Sequence, residues 1–141
     1  MRFMMIIKSD ETSEAGQLPP PEAFEEMTRY NEELAAAGIM RAGEGLGPSS
    51  QGALVAFENG KPKVIDGSFA EAKELVAGFW MLECGSLQEA IEWAKRCPHP
   101  PVGEMELEIR QVFEADDFGE EFTPELRGQE DRLRAEIEAR K

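Results

Sequence analysis

The chain has 141 residues, enough for one domain with a substantial hydrophobic core and a short appendage. It carries 29 acidic side chains against 15 basic ones, which gives a formal net charge of -14. A surface this acidic repels phosphate backbones, so the composition argues against nucleic acid as a partner.

Apolar runs, alternating runs and helical spacings predict a regular order of elements along the chain. In order, they are a strand over 3–7, a helix over 21–37, a strand over 39–45, a hairpin over 53–57 and 61–65, a strand over 79–84, a helix over 87–96, a strand over 104–113 and a terminal helix that begins at Pro124.

Local signals support several of these boundaries. Gly38 is a typical C-cap after a helical pattern. Asn59-Gly60 between two strand-like runs predicts a tight hairpin. Ser86 and Glu89 have the spacing of a capping box, in which each side chain can accept a backbone N–H of the other residue.

Three connecting segments are predicted to lie outside the strands and the longer helices. The polar residues 9–17 read as a loop, as does the glycine-, serine- and proline-rich segment 46–52. Residues 71–76 predict a single helical turn, which Gly78 ends. The segment 46–52 contains no GxxxxGK[ST] pattern, so no phosphate-binding loop is expected.

The cysteines, the histidine and the N-terminal residues argue against further kinds of site and further classes of protein. Cys84 and Cys97 form no CxxC pair or Cys/His cluster, so neither a metal site nor another cofactor is expected. We expect Cys84 in the core, Cys97 partly exposed, and His99 in an exposed loop. The apolar run that ends at Ile7 is too short for a signal sequence or membrane span, which predicts a cytoplasmic protein without membrane contact.

Without the hairpin and the last helix, the predicted order is βαββαβ, the ferredoxin-like arrangement of an α+β fold. Helices would cover one sheet face, but Phe79 and Met81 suggest that the second face also needs cover. Pairing of two sheets across a two-fold axis would supply it, which predicts a homodimer with a cavity between the sheets. Glu106, Glu108 and Arg110 would then line the cavity rim or face solvent.

Composition changes after Phe113, which suggests a domain over 1–113 and an acidic extension over 114–141. The extension carries ten acidic and five basic side chains. Thr123-Pro124 predicts the cap and first residue of its helix. That helix is expected to pack on its own domain or on a partner subunit, with a frayed tail as the alternative.

Several motifs resemble the DGPF, or YCII-related, family. Residues 66–74, DGSFAEAKE, resemble the family signature DGPFAETKE. The opening strand MRFMMII, the strand GIMRAGEGL, the helix end AIEWAKRCP and the last strand ELEIRQV resemble further family motifs, in the same order. The resemblance covers about residues 1–113 and implies a dimeric α+β barrel, with no settled activity.

The signature departs from the family pattern at two positions. Ser68 stands where the signature has proline, which removes a fixed backbone angle. Ala72 stands where it has threonine, which removes a hydroxyl.

Charged side chains in and near the signature are the candidate functional groups. Asp66, Glu71 and Glu44 are candidate acid/base groups, because paired carboxylates can hold a proton near neutral pH when buried together. The candidate substrate-binding residues are Lys73, Arg41, Ser68 and Phe69. A structural interpretation stands beside each: a turn cap for Asp66, an ion pair for Lys73, a core position for Phe69 and a strand salt bridge between Arg41 and Glu44.

Two hypotheses follow for the function. One is a cofactor-independent enzyme that acts on a small organic molecule by acid/base chemistry in a dimer cavity, an idea borrowed from what such barrels often host. The other is a non-catalytic ligand-binding or regulatory module.

Overall fold

The computed structural model describes residues 1–68 and 74–141. These residues divide into two compact units, Met1–Gln111 and Val112–Lys141. The described strands and helices are β1 Arg2–Lys8, α1 Glu11–Glu14, α2 Pro21–Ala36, β2 Met40–Gly45, β3 Ala53–Glu58, β4 Lys61–Asp66, β5 Val76–Glu83, α3 Leu87–Lys95, β6 Leu107–Gln111 and α4 Pro124–Ala139.

The first unit is built on a four-stranded antiparallel sheet with the strand order β2-β5-β1-β6. β1 lies between β5 and β6, with Phe3 opposite both Leu82 and Gln111. α2 connects β1 to β2, and α3 connects β5 to β6, so two βαβ units interleave. The predicted mixed α+β, ferredoxin-like fold is therefore confirmed.

The core lies between one face of this sheet and the two helices. Its largest fully buried side chains are Phe3, Met5, Leu34 and Leu82. The Tyr30 hydroxyl donates to the backbone oxygen of Trp93 at 2.7 Å, which ties α2 to α3.

Both cysteines are buried in this core. The position of Cys84 confirms its prediction, but the expectation that Cys97 is partly exposed is wrong, since its exposed fraction is 3%. The N–H of Cys97 donates to Ala94, in the last turn of α3. That turn brings the thiol under the helix, where burial raises its pKa to about 11.

The other side of the sheet, here called the outer sheet face, is the side away from the core and from α2 and α3. Strand register places Met4 beside Met81 and Ile6 beside Phe79, and all four are half-buried. Charged side chains surround them, and Lys8 forms an ion pair with Glu108 at 3.3 Å. The outer sheet face thus has an apolar centre and a charged rim. It is the second face for which the sequence analysis predicted a covering partner.

β2 and β5 approach each other closely at a pair of opposed glycines. Gly78 lies opposite Gly45, and a Cβ on Gly78 would lie 2.9 Å from the backbone oxygen of Glu44. The strand predicted over 79–84 begins earlier, at Val76, because β1 continues to Lys8 and pairs with it there. Gly78 is thus inside a strand.

The structure confirms some of the other predicted element boundaries and moves others. Asn59 and Gly60 have φ angles of 51° and 78°, which confirms the tight hairpin between β3 and β4. The strand predicted over 104–113 is shorter, Leu107–Gln111, the stretch that pairs with residues 3–7 of β1. The helical turn predicted over 71–76 includes residues outside the described ones.

The second unit contains α4 and a short 3-10 turn over Ala115–Phe118. The Thr123 hydroxyl accepts the N–H of Leu126 at 3.2 Å, the N-cap that the sequence predicted. Arg127 binds Asp116 through a 2.8 Å ion pair. The apolar stripe of α4, which includes Leu133 and Ile137, is exposed.

Candidate functional site

A cleft of about 420 Å³ lies at the end of the sheet where β2 and β3 are connected. Several elements converge there, and the lining residues are Glu14, Leu46, Gly47, Pro48, Ser49, Gln51, Gly52, Ala53, Leu75 and Val76. A second depression of about 360 Å³ is lined by α2 alone. We take the first as the candidate site, because converging elements can hold polar groups in a fixed arrangement around a ligand.

The short helix α1 brings Glu14 to this cleft. Residues 9–17 were predicted as a loop, and that prediction is wrong for the stretch Glu11–Glu14. The Asp10 carboxylate accepts the N–H of Ser13 at 2.7 Å, so it serves as the N-cap that starts the turn. Glu14 therefore projects from an ordered turn.

Glu14 is held by Ser49, in the 3-10 turn Ser49–Gln51. One carboxylate oxygen, Oε1, accepts the backbone N–H of Ser49 at 3.0 Å, and the other, Oε2, accepts the Ser49 hydroxyl. Ser49 is 9% exposed, while Glu14 is half-buried. Each carboxylate oxygen has two lone pairs, so both oxygens can accept a further hydrogen bond from a ligand.

Backbone hydrogen bonds fix the walls of the cleft. The N–H of Leu46 donates to Ala77 at 2.8 Å, which continues the pairing of β2 with β5 beyond the strand end. The N–H of Gly67 donates to Gly52 at 3.1 Å and closes the base of the hairpin. The cleft is consequently bordered by the end of β2, the start of β5 and the start of β3.

The cleft can bind a small, mainly apolar molecule that carries a hydrogen-bond donor. Leu46, Pro48, Leu75 and Val76 supply apolar surface, and Glu14 supplies an acceptor. Among the described lining residues no basic side chain occurs, so a neutral or cationic group fits opposite the carboxylate.

Comparison with known proteins identifies the family. The YCII-related domain matches residues 1–116. The chain belongs to the YCII-related family. It is also similar to an uncharacterized protein of Rhizobium meliloti (strain 1021), which is 27% identical over 111 residues, 76% of this chain and 90% of that protein.

The YCII-related signature borders the cleft at its first residues. Asp66 ends β4 directly opposite Ala53, which lines the cleft. Asp66 and Ser68 are exposed, and the Asp66 carboxylate forms no hydrogen bond or ion pair with a described residue. The remaining signature residues that sequence proposed for chemistry lie outside the described residues: Phe69, Glu71 and Lys73.

The other two predicted residues lie on β2, away from Asp66. Glu44 is opposite Phe79, which puts it at the rim of the outer sheet face. Arg41 lies where the register of β2 with β5 shifts, between Met40 and Ala42. Both are exposed, and neither forms an ion pair with a described residue, so no Arg41–Glu44 salt bridge is seen.

Sequence reasoning missed Glu14 and Ser49. They are separated by 35 positions, and neither position has a local pattern that points to the other. A partial signal was present, since Asp10 followed by Glu11 and Glu14 is typical of a capped helical turn.

Among residues 1–68 and 74–141, no cluster of three His, Cys, Asp or Glu side chains is arranged to hold a metal ion. His99 is exposed, and its Nδ1 lies 3.2 Å from the backbone oxygen of Pro100. No helix in the same residues has the length and apolar character to cross a membrane.

Proposed function

We propose that this YCII-related protein binds a small organic molecule in the cleft beside its signature and acts on it by acid/base chemistry. The observation that carries the proposal is Glu14, a half-buried carboxylate oriented by the N–H and hydroxyl of Ser49 inside a mainly apolar cleft. A fixed carboxylate with free lone pairs can accept a proton from a bound O–H, N–H or activated C–H group.

The signature supplies further groups for such a reaction. Asp66 lies opposite a residue of the cleft wall, and its carboxylate makes no hydrogen bond with a described residue, so the carboxylate can contact a ligand. We propose Asp66 and Glu71 as partners of Glu14 in proton transfer, and Lys73 as the group that would bind an anionic part of the ligand. The placement of Glu71 and Lys73 rests on the sequence alone.

A homodimer is part of this proposal. The half-buried apolar centre of the outer sheet face would be covered if two sheets paired across a two-fold axis. Glu44 and Arg110 would then border the space between the sheets, on the side away from α2 and α3. Glu44 and Arg41 would be the acid/base and binding candidates for that second space, with Ser68 and Phe69 in the signature as further contacts.

A non-catalytic ligand-binding module is the second candidate. It is favoured by the separation of the predicted carboxylates: Asp66 ends the hairpin, while Glu44 lies on β2 of the larger sheet. Both are exposed, whereas a pair that shares a proton must be close together and shielded from water.

Binding is tested first with small primary amines, alcohols and amides as probes, observed through backbone amide chemical shifts in NMR spectra. We expect shifts at Leu46, Ser49 and Val76. Glu14→Gln should weaken binding about tenfold or more, because one oxygen acceptor becomes an N–H donor. Glu11→Gln, on an exposed face of the same helix turn, is the matched control and should bind like the unchanged chain.

Catalysis is tested on a carbonyl compound related to the probe that binds, because only a C–H group beside a carbonyl is acidic enough to lose its proton to a carboxylate. The exchange of that proton for deuterium in D2O reports proton abstraction directly. Loss of exchange in Asp66→Asn with binding retained would support the enzyme. If no probe exchanges while binding depends on Glu14, the binding module is the correct function; binding that is insensitive to Glu14→Gln would refute the cleft as the site.

A further inference from the structure

The β3–β4 hairpin is an apolar ribbon that makes few contacts with the rest of the described residues. Nearly every side chain of both strands is exposed, and the two strands contact mainly each other. Its large apolar side chains are Leu54, Val55, Phe57, Val64 and Ile65. Because an isolated two-stranded hairpin is marginally stable in water, this ribbon needs a surface to pack against.

One face of the ribbon is the more apolar. Register pairs Val55 with Val64 and Phe57 with Pro62, and these pairs share a face because side chains alternate along each strand. The exposed fractions are 56% for Val55, 66% for Val64 and 74% for Phe57. These three side chains and Pro62 form a continuous stripe, here called the ribbon stripe.

We propose that the hairpin is an arm that packs on a second copy of this chain, so that each protomer holds the other. Its proposed position is along the rim of the partner's outer sheet face, where it would extend the sheet-to-sheet contact proposed above. This inference rests on the proposed dimer and adds a second contact surface between its two protomers.

The exposed area fits a reciprocal contact. At roughly 150 Å² for a large apolar side chain, the exposed parts of Val55, Phe57 and Val64 leave roughly 300 Å² of apolar surface on the ribbon stripe of one hairpin. A stable interface buries about 800 Å² on each partner. One hairpin supplies roughly a third of that. Two-fold symmetry roughly doubles the contribution, because each protomer then buries its own hairpin and the surface beneath the other's, and the proposed contact between the sheets adds the rest.

The opposite face of the ribbon carries its charged side chains. Register pairs Lys61 with Glu58 and Lys63 with Ala56, and alternation places these residues on the face away from the ribbon stripe. The charged face can therefore stay in water while the ribbon stripe packs on the partner.

The test compares oligomeric state by sedimentation across a dilution series. We expect the unchanged chain to form dimers. Phe57→Lys combined with Val64→Lys should raise the dimer dissociation constant about thirtyfold or more, as the loss of a central aromatic anchor does at other interfaces. Val102→Lys, which changes an 85% exposed valine outside the hairpin, is the control and should leave the dissociation constant unchanged.

A second measurement does not depend on weakening the dimer. A photoreactive phenylalanine analogue at position 57, in a mixture of isotope-labelled and unlabelled chains, should give cross-links between chains to peptides of β2, β5 or β6. A monomeric unchanged chain would overturn both this inference and the proposed dimer. A dimer that survives the hairpin substitutions, or cross-links only within one chain or to a different protein, would overturn the arm alone.

Discussion

Gly78 lies where β5 and β2 approach most closely, so its replacement by alanine tests the geometry of the sheet beside the cleft. A Cβ at this position would lie 2.9 Å from the backbone oxygen of Glu44 and 3.4 Å from the Cα of Gly45. Both neighbours are backbone atoms, which cannot rotate away as a side chain can. Gly78→Ala must therefore push the two strands apart.

The expected effect is a moderate loss of stability. Overpacking of this kind costs about 1–3 kcal/mol. Alanine also restricts the unfolded chain more than glycine does, and this stabilises the folded state by about 0.4–1 kcal/mol. The net decrease in the free energy of unfolding should be about 1–2 kcal/mol, which for a unit of this size lowers the melting temperature by roughly 4–9 °C.

Thermal unfolding followed by the fluorescence of Trp80 measures this decrease, because Trp80 is buried two residues along the same strand. Gly45→Ala is the matched control, since Gly45 lies directly opposite Gly78 and a Cβ there has no atom within 4 Å. If both variants melt at the same temperature, the close approach of the strands is not present in solution and the reasoning fails.

Three further predictions follow from the core and its helices. Tyr30→Phe removes the hydrogen bond to Trp93 and should lower the free energy of unfolding by about 1 kcal/mol, measured by urea titration. Ser86→Ala removes the acceptor of the Glu89 N–H at 3.1 Å and should cost about 1 kcal/mol by the same assay, with a variant as stable as the unchanged chain arguing against the cap. Burial raises the pKa of Cys97 from 9.0 to about 11, so the folded chain keeps a thiol proton that the unfolded chain releases. The advantage in unfolding free energy over Cys97→Ala should therefore be full below pH 9 and shrink as the pH rises to 11; a constant difference across that range would contradict the assignment.

The fold was predictable because its signals are local. Gly38 has a φ of 73° at the end of α2, and Asn59-Gly60 adopts the positive φ angles of a tight hairpin, as their residue types indicate. Strand ends were less predictable, because β6 ends where its pairing with β1 ends. The alternating pattern in the sequence continues past both ends of that paired stretch.

The candidate site was predictable only where the signature marks it. Asp66 was found from its motif, and it borders the cleft through Ala53. Glu14 and Ser49 were missed because their contact joins two segments that read as unstructured polar loops. The hairpin was predicted as an element, but its exposure was not, since an alternating pattern does not reveal which face lacks a partner.

The interleaved strand order makes the first unit indivisible. A cut between β2 and β3 would leave β1 and β2 in one fragment, yet these strands are not neighbours, because β5 lies between them. The other fragment would hold β5 and β6, separated in the same way by β1. Neither fragment contains a single pairing of the four-stranded sheet, so each half can order its strands only in the presence of the other. Folding of this unit is thus equivalent to the association of two complementary halves, with the hairpin segment as the tether that keeps their effective concentration high.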